Sequence, residues 1–178
     1  MFELINPESA DSSVKGLLDA TQRQLGRVPN LYRAMANSPK ALEAYLAFRG
    51  ALQGGLLDSK MNERIALLVA QMNACDYCIA AHYFRGQKIG LSVQELQDTR
   101  NGFSNTPKIH AALTFIRDVV NGRGVVDESS RTMLITSGWS EAEIGEIVAH
   151  IALNVFSNYF KQIADPLLDF PAAPELAS

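Results

Sequence analysis

Apolar residues recur along this chain at three- and four-residue steps almost everywhere, and nowhere do they sustain the strict alternation of a half-buried strand. The pattern predicts an all-α fold, a bundle of about eight helices. A first helix is predicted over roughly 9 to 25, with Val14, Leu17, Leu18 and Leu25 on its apolar side and Gly26 closing it. A short segment, LYRAMAN, follows the turn at Val28 and Pro29, and Ser38 with Pro39 then marks a new helix start that runs to Gly54 and Gly55. Asp58 and Ser59 offer cap oxygens to a helix carrying Ile65, Leu67, Leu68, Val69 and Met72, apolar on so many sides that it reads as the buried core helix.

Asn73 and Ala74 interrupt that helix, so CDYCIAAHYFRGQKIG reads as a separate helix stopping at Gly90, with both cysteines near its start. Ser92 with Glu95 and Ser140 with Glu143 each form a capping box just after a glycine, and each opens a helix. Between them Thr106 and Pro107 begin a helix ending near Gly122, and Asp127 is placed to cap another reaching Ser137. The chain is expected to form a single domain over 1–178. Past Pro166 the prolines of LLDFPAAPELAS predict no helix, and residues 167–178 are expected to form a frayed end.

The composition, 47% hydrophobic and 20% charged over 178 residues, is that of a folded globular protein that needs no disulfide staples. Its formal charge of -3, from 16 basic and 19 acidic side chains without a basic block, argues against nucleic acid as a partner. The start, MFELINPESADSS, lacks the features of a signal peptide, and apolar runs such as IALLVA are too short to span a bilayer, so no membrane partner is expected. The only two cysteines lie three residues apart, which suits a cytoplasmic dithiol better than the disulfide framework of a secreted domain.

Cys75, Cys78 and His82 at i, i+3 and i+7 fall on one stripe of a helix, so the thiols can meet each other and the imidazole. The positive end of a helix stabilises a thiolate. His82 can accept or relay the thiol proton, and Glu63, on the preceding buried helix, can orient that imidazole if the two helices pack side by side. A glutamate, CxxC and a histidine at this spacing form a far more specific signature than CxxC alone.

On those residues, with NACDYCIAAHYFRGQKIGLS and the upstream GRVPNLYRAMANSPKALEAY, the chain resembles the alkylhydroperoxidase D family within the carboxymuconolactone decarboxylase-like superfamily, from about Leu25 to Asn158. The resemblance implies a thiol peroxidase that cycles between dithiol and disulfide, reduces hydroperoxides, and is restored by a dithiol or protein-thiol reductant. It implies further that Cys78 is oxidised to a sulfenic acid, that Cys75 donates a proton and then resolves it, and that Glu63 and His82 form the relay. A homo-oligomer, trimer or hexamer, is expected on the same ground, and no metal, flavin or haem cofactor. Tyr77 departs from the family's best-known branch, which has a histidine between the cysteines. A phenol is a weak base at neutral pH, so Tyr77 is predicted to alter proton delivery to Cys75.

Other readings of the same residues stand beside this one: a non-enzymatic redox-sensing or oligomeric module with a reversible disulfide, a metal-binding module, or two cysteines packed as small hydrophobes. His150, Asn154 and Asn158, four residues apart, read as a hydrogen-bonded buried stripe at a helix or subunit contact, with a site wall the less favoured alternative. Trp139 reads as core or interface packing.

Overall fold

The computed structural model describes residues 1–176, and the last two residues of the expected frayed end lie outside it. Among the described residues there are nine α-helices and no strand: α1 Ser12–Leu25, α2 Asn30–Met35, α3 Pro39–Gln53, α4 Ser59–Met72, α5 Asp76–Lys88, α6 Val93–Arg100, α7 Pro107–Asn121, α8 Glu128–Thr136 and α9 Glu141–Ala164. LYRAMAN forms a helix of its own, α2, which brings the count above the expected eight. No helix among them is long and apolar enough to cross a membrane.

Most of the boundaries follow local chemistry. α1 begins at Ser12 rather than near residue 9 because the Asp11 carboxylate accepts from the Ser13 amide at 2.8 Å, and it ends where Gly26 takes φ 72°. Both capping boxes form, Ser92 with Glu95 and Ser140 with Glu143. Asp127 occupies the cap position of α8, but its side chain makes no capping bond, contrary to expectation.

α4 packs against α5, α6, α7 and α9, and the core divides around it. Its Leu67 and Ala70 enter a cluster with Leu18, Met35, Leu42, Cys78 and Leu96, while Ile65, Leu68 and Val69 enter a second with Leu113, Ile116, Leu134 and Ile147. A helix buried on two sides has no polar face to leave in water, which is why its sequence shows apolar residues at so many angles. Each such fully buried aliphatic side chain contributes roughly 1.5–3 kcal/mol. Trp139 is buried in the second cluster and donates its indole N–H to the Lys108 carbonyl at 2.9 Å.

Beyond α9, residues 166–176 are irregular, as the prolines require, but they do not fray: they run back across α5. Arg27 and Asp169 form an ion pair, and the Asp169 carboxylate also accepts from the Asn30 amide at 3.1 Å. Asn30 donates its side-chain amide to the Leu167 carbonyl at 3.1 Å, and Arg100 donates to the Pro174 carbonyl. The Phe170 ring lies edge-on to Tyr77 with centroids 5.7 Å apart, under the Arg27 guanidinium. This strap is tied by long-range polar partners that no local pattern reveals.

Candidate functional site

The turn between α4 and α5 sets the position of the cysteines. α4 ends with the Ala74 amide bonded to the Gln71 carbonyl at 3.1 Å and the Cys75 amide bonded to the Ala70 carbonyl at 2.9 Å, the paired reversal that requires a left-handed residue between them. That residue is Ala74, at φ 50°. The same reversal at the ends of α5, α6 and α8 uses glycines, Gly90, Gly102 and Gly138. The junction before Cys75 thus carries a side chain in a backbone conformation that costs an L-residue about 1 kcal/mol.

Cys75 therefore sits at the N-cap of α5, just outside the helix, and Cys78 in its first turn. They are joined as a disulfide with Cα atoms 5.2 Å apart. Cys75 is 0% exposed and Cys78 3%, so bulk solvent reaches neither sulfur directly. Asp76 pairs with Lys161 of α9, and its carboxyl is held below the usual carboxylate range, chiefly by the hydrogen bond from Lys161.

α4 and α5 pack side by side, and Glu63 and His82 meet between them, with Glu63 Oε2 2.7 Å from His82 Nδ1. Burial pushes the Glu63 carboxyl up, but the facing His82, with Arg85 and Arg49, outweighs it and holds the group below its ordinary range. An ionised carboxylate accepts only, so Nδ1 carries the proton in this pair, which leaves Nε2 as the ring nitrogen turned away from Glu63.

Two hollows meet at this ring. The smaller, about 20 Å³, is lined by Cys78, Tyr77, His82, Arg85 and Phe170, among others, and is just large enough for one water-sized molecule. The larger, about 240 Å³, also contains His82 and Arg85 and opens between four helices. α3 supplies Tyr45, Arg49 and Gln53, one turn apart, and α4 supplies Asn62 and Glu63. His150 and Asn154 of α9 close it.

Sequence reasoning favoured a hydrogen-bonded buried stripe for those last two and Asn158; all three are buried and Asn158 accepts from Asn73 at 3.0 Å, but His150 and Asn154 also line the larger hollow. Asn154 donates to the His150 carbonyl at 2.8 Å, whereas His150 Nε2 is buried without a partner. Burial lowers the His150 pKa, so the ring is neutral near pH 7. Arg49, Arg85, Asp169 and Phe170 were not foreseen as site residues; the i, i+4, i+8 recurrence of Tyr45, Arg49 and Gln53 was the only sequence signal for the α3 wall.

Tyr77 is buried with its hydroxyl donating to Asp169 Oδ1 at 2.6 Å and accepting from the Leu31 amide at 3.2 Å. Burial and the Asp169 carboxylate both raise its pKa, so the phenol stays protonated. Its hydrogen-bonding capacity is committed to the strap and to α2. The described residues contain no cluster of three or more His, Cys, Asp or Glu side chains suited to a metal ion.

Residues 39–117 match the model of the carboxymuconolactone decarboxylase family, and that span holds Glu63, both cysteines and His82. An uncharacterized peroxidase-related protein from Ralstonia eutropha JMP134, described as an alkylhydroperoxidase AhpD core, superposes with a TM-score of 0.82 at 21% identity, over 94% of this chain and 91% of that one. The chain thus has the fold of an alkylhydroperoxidase AhpD core, and its central segment matches the carboxymuconolactone decarboxylase family. Another uncharacterized peroxidase-related protein, from Silicibacter sp. TM1040, superposes with a TM-score of 0.79 at 20% identity, covering 92% of this chain and 90% of its own. A debrominase, Bmp8, solved with 2,3,4-tribromopyrrole, has a TM-score of 0.77 at 18% identity over 95% of this chain and 93% of its own. At such identities these likenesses concern the fold. In sequence, a Haemophilus influenzae protein described only as uncharacterized is 49% identical over 45 residues, a match spanning 25% of this chain and 40% of that protein's length.

Proposed function

We propose that this protein belongs to the alkylhydroperoxidase D-like family and is a thiol-dependent hydroperoxide reductase. The observation that carries the reading is the Cys75–Cys78 pair at the start of α5, adjoining a histidine whose Nδ1 is held by a carboxylate at 2.7 Å. That is the orienter, base and nucleophile arrangement of activated-nucleophile chemistry. In the dithiol state His82 Nε2 takes the Cys78 proton, and Glu63 stabilises the imidazolium that results. The Cys78 thiolate attacks the outer oxygen of the hydroperoxide; the O–O bond breaks, and the alkoxide takes a proton to leave as alcohol. Cys75 then attacks the sulfenic sulfur, its thiol proton leaves with the hydroxide as water, and the disulfide forms. A dithiol or protein-thiol donor returns two electrons and two protons. The reading needs no metal, flavin or haem.

The homo-oligomer expected from the resemblance belongs to the same proposal. It is supported by a row on α9, Val148, Phe156, Tyr159 and Ile163, which is apolar yet 42–72% exposed. Sedimentation of the purified protein tests it.

The direct test of function is peroxide consumption with a small dithiol as donor. The parent turns over repeatedly, whereas Cys78→Ser and Cys75→Ser do not. Undiminished turnover by Cys78→Ser overturns the assignment, and a single stoichiometric oxidation without turnover favours a redox-sensing module instead.

A further inference from the structure

The larger hollow holds more cationic charge than its chemistry with thiols requires. Over the whole chain acidic side chains outnumber basic ones, 19 to 16, yet this cavity is lined by two arginines and a single carboxylate. That carboxylate, Glu63, is already bonded to His82. Arg85, half-buried at the junction with the Cys78 chamber, makes no salt bridge or hydrogen bond among the described residues; the Phe170 ring lies 5.8 Å from its guanidinium, and the carboxylate whose charge it feels, Glu63, is the one bonded to His82. Arg49, one helix away, has a single neutral partner, Gln24, at 3.3 Å. Unpaired, half-buried guanidinium groups are costly unless an anion joins them. The far wall adds an independent sign of a missing ligand: His150 is 5% exposed, lines the same cavity, and leaves Nε2 without a partner. Buried polar atoms are left unsatisfied rarely, and one on a residue that lines a cavity marks a place for a polar partner.

We infer that this cavity binds a small organic anion, and that the protein's substrate is a hydroperoxide carrying a carboxylate. Arg49 and Arg85 receive the carboxylate and His150 Nε2 donates to it or to a polar group beside it. The peroxide end reaches past His82 into the chamber at Cys78, which admits only a group the size of water. The cavity, about 240 Å³, falls below the ~300 Å³ at which drug-sized pockets begin, so the chain joining the two ends is short. The identity of the reacting group rests on the peroxidase reading; the anion site does not.

Two measurements separate those claims. First, hexanoate is titrated calorimetrically into protein with both cysteines replaced by serine, in which no thiol chemistry occurs. Binding that weakens with added salt, and that falls about tenfold or more in Arg49→Gln and in Arg85→Lys, supports the site. Absence of binding, or binding indifferent to both arginine changes, overturns it. Arg49 is partly exposed on α3, so that variant reads the site even if Arg85→Lys is poorly folded. Second, kcat/KM is compared for a hydroperoxy acid of about six carbons, a length chosen for a ligand below drug size, and its methyl ester. The acid is favoured in the parent, and the acid-to-ester ratio collapses in Arg49→Gln; equal ratios in the two proteins overturn the substrate assignment. If neither peroxide is consumed, the peroxidase reading fails while the hexanoate titration still decides the anion site.

Discussion

Replacing Tyr77 with Phe removes one oxygen from the centre of the strap and leaves the ring that packs edge-on against Phe170. That oxygen has two roles: it donates to the Asp169 carboxylate at 2.6 Å and accepts from the buried Leu31 amide at 3.2 Å. A hydrogen bond to a charged group contributes about 1.5–3 kcal/mol, and the Leu31 N–H left without an acceptor adds about 1 kcal/mol or more to the loss. Urea denaturation of Tyr77→Phe should therefore show a loss of about 2.5–4 kcal/mol. The part belonging to the strap is isolated by a double-mutant cycle with Asp169→Ala, because the Leu31 contribution is common to both arms and cancels. The expected coupling between positions 77 and 169 is about 1.5–3 kcal/mol. Asp169 would keep Arg27 and the Asn30 amide in Tyr77→Phe, so the strap loosens without detaching. A coupling within the ~0.5 kcal/mol scatter of independent sites would mean that the tail is not docked in solution, and the account of Tyr77 as a tether would be wrong.

Other consequences concern the proton relay, the turn and the acid range. Glu63→Gln should raise the pKa of the reactive thiol, followed by thiolate absorbance in reduced protein, by roughly one unit or more, since the imidazolium loses its facing charge; an unchanged titration would separate Glu63 from the thiol. Ala74→Gly should raise stability by about 1 kcal/mol, because the left-handed φ of 50° no longer carries a Cβ, while Gly90→Ala, at φ 83° in the same motif, should lose a similar amount. Opposite signs in urea titrations of the two variants are the check. Stability should fall in two acid steps. The pKa of His150 is lowered by burial, so the unfolded chain binds a proton first and stability declines as pH drops below about 6.5. The Glu63 carboxyl is also held low in the folded state, so its contribution is present above its unfolded value near 4.5 and disappears as pH falls further. His150→Gln should abolish the upper step and leave the lower.

What could be read from the amino-acid order follows the range of the interactions involved. Helix starts at Ser38, Asp58, Ser92 and Ser140 are fixed by bonds spanning about one turn, and all four were legible in advance. The expected contact of Glu63 with His82 needed one further step, that consecutive helices joined by a three-residue turn pack side by side. The arginine wall and the strap lay out of reach because they depend on non-local pairs: Arg49 of α3 and Arg85 of α5 line one cavity, and Asp169 pairs with Arg27, 142 positions away. The proline-rich tail looked unable to order itself, and by itself it has no internal bonds to do so. Its order comes from Arg27, Asn30 and Arg100 together with the buried phenol of Tyr77, and at Tyr77 two apparent anomalies explain each other. A tyrosine between the cysteines is a poor proton donor to a thiol, yet it is long enough for its hydroxyl to bond a carboxylate beyond α9. In exchange for a titrating group at that position the fold gains Phe170 as a wall of the Cys78 chamber. On the proposed mechanism His82 handles the proton that a histidine there would carry, and so the Glu63 and Tyr77 substitutions are expected to act differently, the first on thiol pKa and the second on stability.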